Sequence, residues 1–155
     1  MTTIDNKLRT AKIKIFYILQ LVLIFALGAY YLFEPNEEYV RTAFLSMLII
    51  IALAYFSMLA LRLNYFYLQD TGDSIMVRYY SAHPFLRSYK AFKLPANTIK
   101  SYEVKSSIFN LRHEIVIIAE SNKGRFVFPS LSLSALNKTE REEVYETLDK
   151  YAKKN

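Results

Sequence analysis

Two uninterrupted apolar runs constrain this chain more than any other feature. Residues 15–33 read IFYILQLVLIFALGAYYLF, without a charge and with Gln20 as the strongly polar side chain. Residues 42–61 read TAFLSMLIIIALAYFSMLAL, uncharged again, with Ser46 and Ser57 as small hydroxyl interruptions. At about 1.5 Å of rise per residue, an apolar helix of about 20 residues crosses the roughly 30 Å hydrocarbon core of a bilayer. A buried core helix is equally apolar, but two such runs in 155 residues leave too little protein to bury them. The expectation is a transmembrane helical hairpin.

Flanking charge sets its direction. Lys7, Arg9, Lys12 and Lys14 precede the first run, Glu34, Glu37 and Glu38 stand against Arg41 between the runs, and Arg62 with a basic segment follows the second. Because cytoplasmic flanks carry the excess of lysine and arginine, both termini are expected in the cytoplasm. The expected organisation is a multi-pass protein of the cytoplasmic (inner) membrane. It has a basic N-terminus at 1–14, helices at 15–33 and 42–61, a short extracytoplasmic loop at 34–41 and a cytoplasmic domain at 62–155. A signal peptide is the rival reading, since Ala26, Gly28 and Ala29 offer a small-residue cleavage site, but the apolar run continues through Tyr31 and Phe33. Neither run holds an Asp, Glu, His, Lys or Arg away from its ends, which argues against a proton relay, a pump or a transporter.

After Arg62 the pattern changes to period-two alternation. NYFYLQ ends in the turn residues of QDTGDS, and SIMVRYY sets Ile75, Val77 and Tyr79 against Met76, Arg78 and Tyr80. YKAFKLP, KSYEVKSSI, RHEIVIIAES and RFVFP continue as strands, and Leu131, Leu133 and Leu136 add either a further short strand or an apolar approach to the helix. RHEIVIIAES is apolar on both faces at its centre, so Val116 and Ile118 are expected to form an apolar outer face. A helix is expected over 140–154, with Thr139 and Glu142 as a capping box and Val144, Leu148 and Tyr151 as its apolar stripe. Short antiparallel strands closed by such a helix point to a small α+β domain, a barrel of six or seven strands with the helix at its open end.

LNYFYLQDTGDSIMVRYY and FKLPANTIKSYEVKSSIFNLRHEIVI resemble the bacterial pleckstrin-homology-like (PH-like) domains, in which a strand ends in a proline step before a strand containing isoleucine and rich in Ser, Val and Lys. The resemblance spans roughly 63–152 and implies that fold, often fused to pairs of membrane helices. It implies no activity. The loop QDTGDS departs from the inositide-binding members of the wider family, which carry basic residues there; Asp70 and Asp73 would repel a phosphorylated headgroup.

No residue set announces a reaction. With no cysteine, thiolate metal sites, iron–sulfur clusters and thiol nucleophiles are excluded. His83 and His113 are separated with no carboxylate spaced to join them, Gly28, Gly72 and Gly124 are too far apart for a phosphate loop, and no nucleophile-elbow context surrounds a serine. No catalytic residue, cofactor or metal is assigned. The net charge of +6 fits nucleic acid or anionic lipid, and a domain tethered under a bilayer meets headgroups first. The tract HPFLRSYKAFK supplies the candidate headgroup or partner contact, Phe85, Leu86, Arg87, Lys90 and Lys93, while Val116 and Ile118 supply the candidate partner face. The reading is a non-enzymatic membrane-anchored scaffold that docks a membrane or cytoplasmic protein or assembles with its own copies. The alternatives are an anionic-lipid-responsive module, or an enzyme on a membrane substrate joining a histidine to a carboxylate.

Overall fold

The computed structural model describes residues 2–33, 38–86, 89–121 and 124–152. The expected connection 34–41 therefore falls partly, at 34–37, outside the described residues. Two long helices, α1 (Lys7–Phe33) and α2 (Glu38–Ala60), contain the apolar runs. At about 1.5 Å per residue each is longer than a bilayer core. Their most apolar windows are only 11% and 6% buried. Where the helices meet, Tyr17 and Gln20 of α1 and Ile51 of α2 are buried.

The rest of the chain forms two antiparallel sheets and a helix. The first sheet has the order β1 (Thr3–Asp5), β2 (Asn64–Asp70), β3 (Ser74–Ser81), β4 (Lys90–Pro95). The second runs β5 (Ile99–Ser107), β6 (Arg112–Ser121), β7 (Gly124–Val127), with β8 (Leu131–Ser132) also paired to β6. Among the described residues no ladder joins β4 to β5, so these are two sheets rather than the closed barrel expected. The proline of KLPANTIK ends β4, and the 3-10 turn Ala96–Thr98 carries the chain from one sheet edge to the other. Gly72 takes φ +86° in the β2–β3 turn, where a β-carbon would be strained.

Alternation places Phe66, Leu68, Ile75, Val77 and Leu94 of the first sheet and Ile115 and Ile117 of the second in one core. Helix α3 (Lys138–Asp149) covers it with Val144 and Leu148, both fully buried. The cap lies two residues earlier than expected. Asn137 Oδ1 accepts from Glu140 N–H at 2.7 Å, and Glu140 Oε2 accepts from Asn137 N–H at 2.8 Å. Thr139 lies inside the helix. At the far end Asp70 accepts from Gly72 N–H at 2.8 Å and from the Tyr151 hydroxyl at 2.7 Å. Burial alone would raise the Asp70 carboxyl; these donors and the Lys150 charge hold it below its ordinary value.

The N-terminal flank is the main departure from expectation. Residues 3–5, assigned by sequence to a basic tail, form β1 and pair with β2 in the register Thr3 to Gln69 and Asp5 to Tyr67. The buried Asn6 follows. Its Nδ2 donates to Asn64 O at 3.1 Å, and its Oδ1 accepts from Phe66 N–H at 2.9 Å and from the Thr10 hydroxyl at 3.1 Å. The helical hairpin is thus inserted between two adjacent strands of one sheet, and the start of α1 and the end of α2 lie together.

Candidate functional site

The site that the fold builds is the junction between hairpin and domain, where three elements meet. From α1, Arg9 reaches the domain and donates to Glu140 at 2.5 and 3.2 Å and to Ala135 O at 2.8 Å. Arg62, just past α2, pairs with Glu114 at 3.6 Å, and Arg112 holds the same carboxylate at 2.7 Å. From the loop after β3, the buried His83 enters the helix pair. Its ring lies 5.0 Å from Tyr17 and 5.9 Å from Tyr55, edge-on to both, and its Nε2 is 2.8 Å from the Tyr55 hydroxyl. Phe85 N–H donates to His83 Nδ1 at 3.3 Å, so Nδ1 is the unprotonated nitrogen and Nε2–H donates to Tyr55. The histidine is a latch between loop and hairpin.

Beside the latch lies a cleft of about 470 Å³ between α1 and the loop, lined by Lys14, Ile18, Tyr80, His83, Leu86 and Tyr89 among others. Lys14 Nζ sits 4.7 Å from the centre of the Tyr80 ring, which stacks on Tyr65 at 4.5 Å. Burial, and then the Asp5 carboxylate, push the Tyr65 hydroxyl up to about 12. The Asp5 share of that shift reflects how closely β1 approaches the aromatic side of the cleft.

The carboxylates at the junction respond to acid in one direction. Burial alone would raise Glu140 and Glu114. Hydrogen bonds from Arg9 and Asn137 hold Glu140 below its ordinary 4.5, and those from Arg112 and Ser130, with the Arg62 charge, do the same for Glu114. His113 is lowered from 6.5 by burial and then by the Arg141 charge. For each, the folded chain binds its proton less readily than the unfolded chain does. The stability they contribute is present above the unfolded value and lost as pH falls through the folded one. Thermal unfolding in detergent should therefore change little between pH 8 and 7, weaken below about 6.5 with His113, and weaken again below about 4.5 with the carboxylates. Glu140→Gln should lower stability at pH 7 and flatten the acid limb; an unchanged acid limb would show the Arg9 link to be unimportant.

The structure distributes the sequence-selected residues rather than gathering them. Phe85 and Leu86 stand out at the junction, 72% and 56% exposed. Arg87 lies outside the described residues. Lys90 and Lys93 are exposed on the edge strand β4, but three positions apart they point to opposite faces, and Lys93 pairs with Met76 toward the end remote from the hairpin. Val116 and Ile118 do not form an exposed partner face: they are 8% and 3% exposed. They lie on the face of β6 opposite Ile115 and Ile117 and are buried there as well. His83 and His113 take separate partners, and among the described residues no three His, Cys, Asp or Glu side chains group to hold a metal. Sequence reasoning missed Asn6, Arg9, Tyr17 and Tyr55. The Asp5-Asn6 pair ahead of a helical run was the available signal. Compared with protein-family models, curated proteins and solved structures, the chain matches none.

Proposed function

We propose that this chain is a non-enzymatic, membrane-anchored interaction module whose hairpin spans the cytoplasmic membrane and whose PH-like domain is held rigidly on the cytoplasmic side. It docks a membrane or cytoplasmic protein, or further copies of itself, through the hairpin and the membrane-proximal end of the domain. The observation that carries this is the insertion of the hairpin between β1 and β2, with Asn6 bonded to both neighbouring backbone groups. A domain on a flexible tether reports nothing about its anchor. Here any partner that shifts the packing of α1 on α2 also strains the first sheet.

Spanning is supported by the near-complete exposure of two apolar helices, which in water would be a large aggregation-prone surface. The cytoplasmic side is supported by Lys7, Arg9, Lys12, Lys14 and Arg62 at the domain end of the hairpin. Four strands, then three with a short addition, then a closing helix support the PH-like reading, with β1 drawn from before the hairpin as its departure. The exposed Phe85 and Leu86 beside Lys14 favour lipid response as the second reading.

The chain lacks cysteine, so Asn97→Cys gives a single exposed reporter on the domain, in the turn remote from the hairpin. In native membranes it should react with an impermeant maleimide in inverted vesicles and not in right-side-out ones, and the protein should resist carbonate extraction. Release by carbonate would refute the anchor, and labelling from outside would refute the orientation. Crosslinking that recovers only monomer, with no second chain, would count against docking.

A further inference from the structure

The junction end of the domain carries a second apolar feature, at the turn between β5 and β6. Ile108, Phe109 and Asn110 there all have left-handed backbone, with φ of 54°, 51° and 64°. Three successive non-glycine residues in that region, one of them β-branched, are strained because the β-carbon crowds the backbone. The turn is nonetheless bonded in place: Leu111 N–H donates to Ile108 O at 3.0 Å, and the Ser106 hydroxyl donates to Asn110 Oδ1 at 2.6 Å. Its outcome is display. Phe109 is 97% exposed, with Leu111 and Ile108 exposed beside it. Backbone strain that serves only to present apolar side chains to water points to something other than water at that place.

The topology locates the place. β5 starts after the Ala96–Thr98 turn, where Ala96 N–H bonds to Asp73 O at the end of the first sheet remote from the hairpin. It then runs alongside β6 to Lys105, opposite Glu114, whose carboxylate pairs with Arg62 at the end of α2. The turn beyond it lies at the hairpin end of the domain. The Phe85 and Leu86 loop leaves β3 at that same end, since Ser81 pairs with Asn64.

We infer that residues 108–111 form a membrane-interface anchor, with Ile108, Phe109 and Leu111 entering the headgroup boundary of the bilayer from which the hairpin emerges. This rests on the transmembrane reading proposed above. Lipid is the occupant because the turn lies at the end of the domain from which the hairpin leaves, where the adjoining Glu114 pairs with Arg62 just past α2, and because Lys14 and Arg62 place cations for anionic headgroups at that end. An aromatic ring flanked by aliphatic side chains suits that boundary. Together with the hairpin and the Phe85 loop, the turn gives the domain a third point of support and fixes its tilt.

The chain has no tryptophan, so each introduced one reports alone. Phe109→Trp, Phe25→Trp in the middle of α1 and Val127→Trp on β7, where it pairs with Ile118 well along β6 from the turn, would each be reconstituted as the full chain in phosphatidylcholine and phosphatidylglycerol vesicles. Some vesicles would carry phospholipid brominated near the carbonyl end of the acyl chain, and others phospholipid brominated deep in the chain. Phe109→Trp should emit at shorter wavelength than Val127→Trp and lose most of its emission to the shallow bromines, while Val127→Trp keeps its emission. Phe25→Trp should be quenched by the deep bromines. If Phe25→Trp is quenched and Phe109→Trp is not, the interface anchor is wrong and the hairpin reading stands. If Phe25→Trp escapes quenching, the hairpin reading itself fails. A blue-shifted Phe109→Trp that bromine does not reach would mean that protein, a partner or a second copy, covers the turn, and would overturn lipid as its occupant.

Discussion

Asn6→Ala should destabilise the folded chain by roughly 2–5 kcal/mol, because it orphans two backbone groups of β2 and each unpaired buried group costs about 1–3 kcal/mol. The groups are Asn64 O, which loses the Nδ2 donor at 3.1 Å, and Phe66 N–H, which loses the Oδ1 acceptor at 2.9 Å. Asn6 is itself buried at the step from β1 into α1, and Thr10 bonds back to it through both its hydroxyl and its N–H. Water has little access to replace the lost side chain. The neighbouring Lys7 is exposed, so Lys7→Ala should move the denaturant midpoint by less than about 0.5 kcal/mol. Denaturant unfolding of the detergent-solubilised chain would read both. Hydrogen exchange should also show residues 2–10 losing protection before the core strands. If Asn6→Ala unfolds at the same midpoint as Lys7→Ala, the flank is a dispensable tail and the rigid coupling of hairpin to domain is wrong.

That flank was the least legible part of the sequence, for a physical reason. A strand of three residues carries too few alternations to show a period, and Thr3-Ile4-Asp5 makes sense only beside Gln69, Leu68 and Tyr67, which lie beyond the whole hairpin. The apolar helices were legible because length and hydropathy are local properties. The strands from 64 to 127 were legible because each alternates over enough residues to define a face. RHEIVIIAES was the informative failure. An apolar run on both faces was read as an exposed outer face, yet double-sided apolarity is also the mark of a strand covered on both faces, and Val116 and Ile118 are buried along with Ile115 and Ile117. The helix cap was ambiguous in a different way. Asn137 to Glu140 and Thr139 to Glu142 both have the spacing of a capping box, and Glu140 is the one that also receives Arg9 from α1. Tyr17, Tyr55 and His83 come from α1, α2 and a loop, and no local pattern brings three such segments together.

Leu148→Ala is the second large effect expected, about 2–5 kcal/mol of destabilisation, the range for emptying a fully buried leucine site. The location makes a value near the upper end reasonable. The two sheets share no ladder among the described residues, so what holds them together is the core between them and the stripe of α3 laid across it. Leu148 and Val144 are both fully buried in that core with Ile75 and Val77 of one sheet and Ile115 and Ile117 of the other. A cavity there can close only if one sheet moves toward the other, which the Tyr151–Asp70 and Arg9–Glu140 links at the two ends of α3 resist. Glu146→Ala, on the exposed face of the same helix, should stay within about 0.5 kcal/mol and controls for helix propensity. The effect should also travel. Loosening α3 frees Glu140 from Arg9, so Leu148→Ala should raise hydrogen exchange at the start of α1 as well as in the core. A loss below about 1 kcal/mol would place α3 as a peripheral cover. The Arg9 link would then be a contact between two surfaces rather than part of the grip that joins the helical hairpin to the domain.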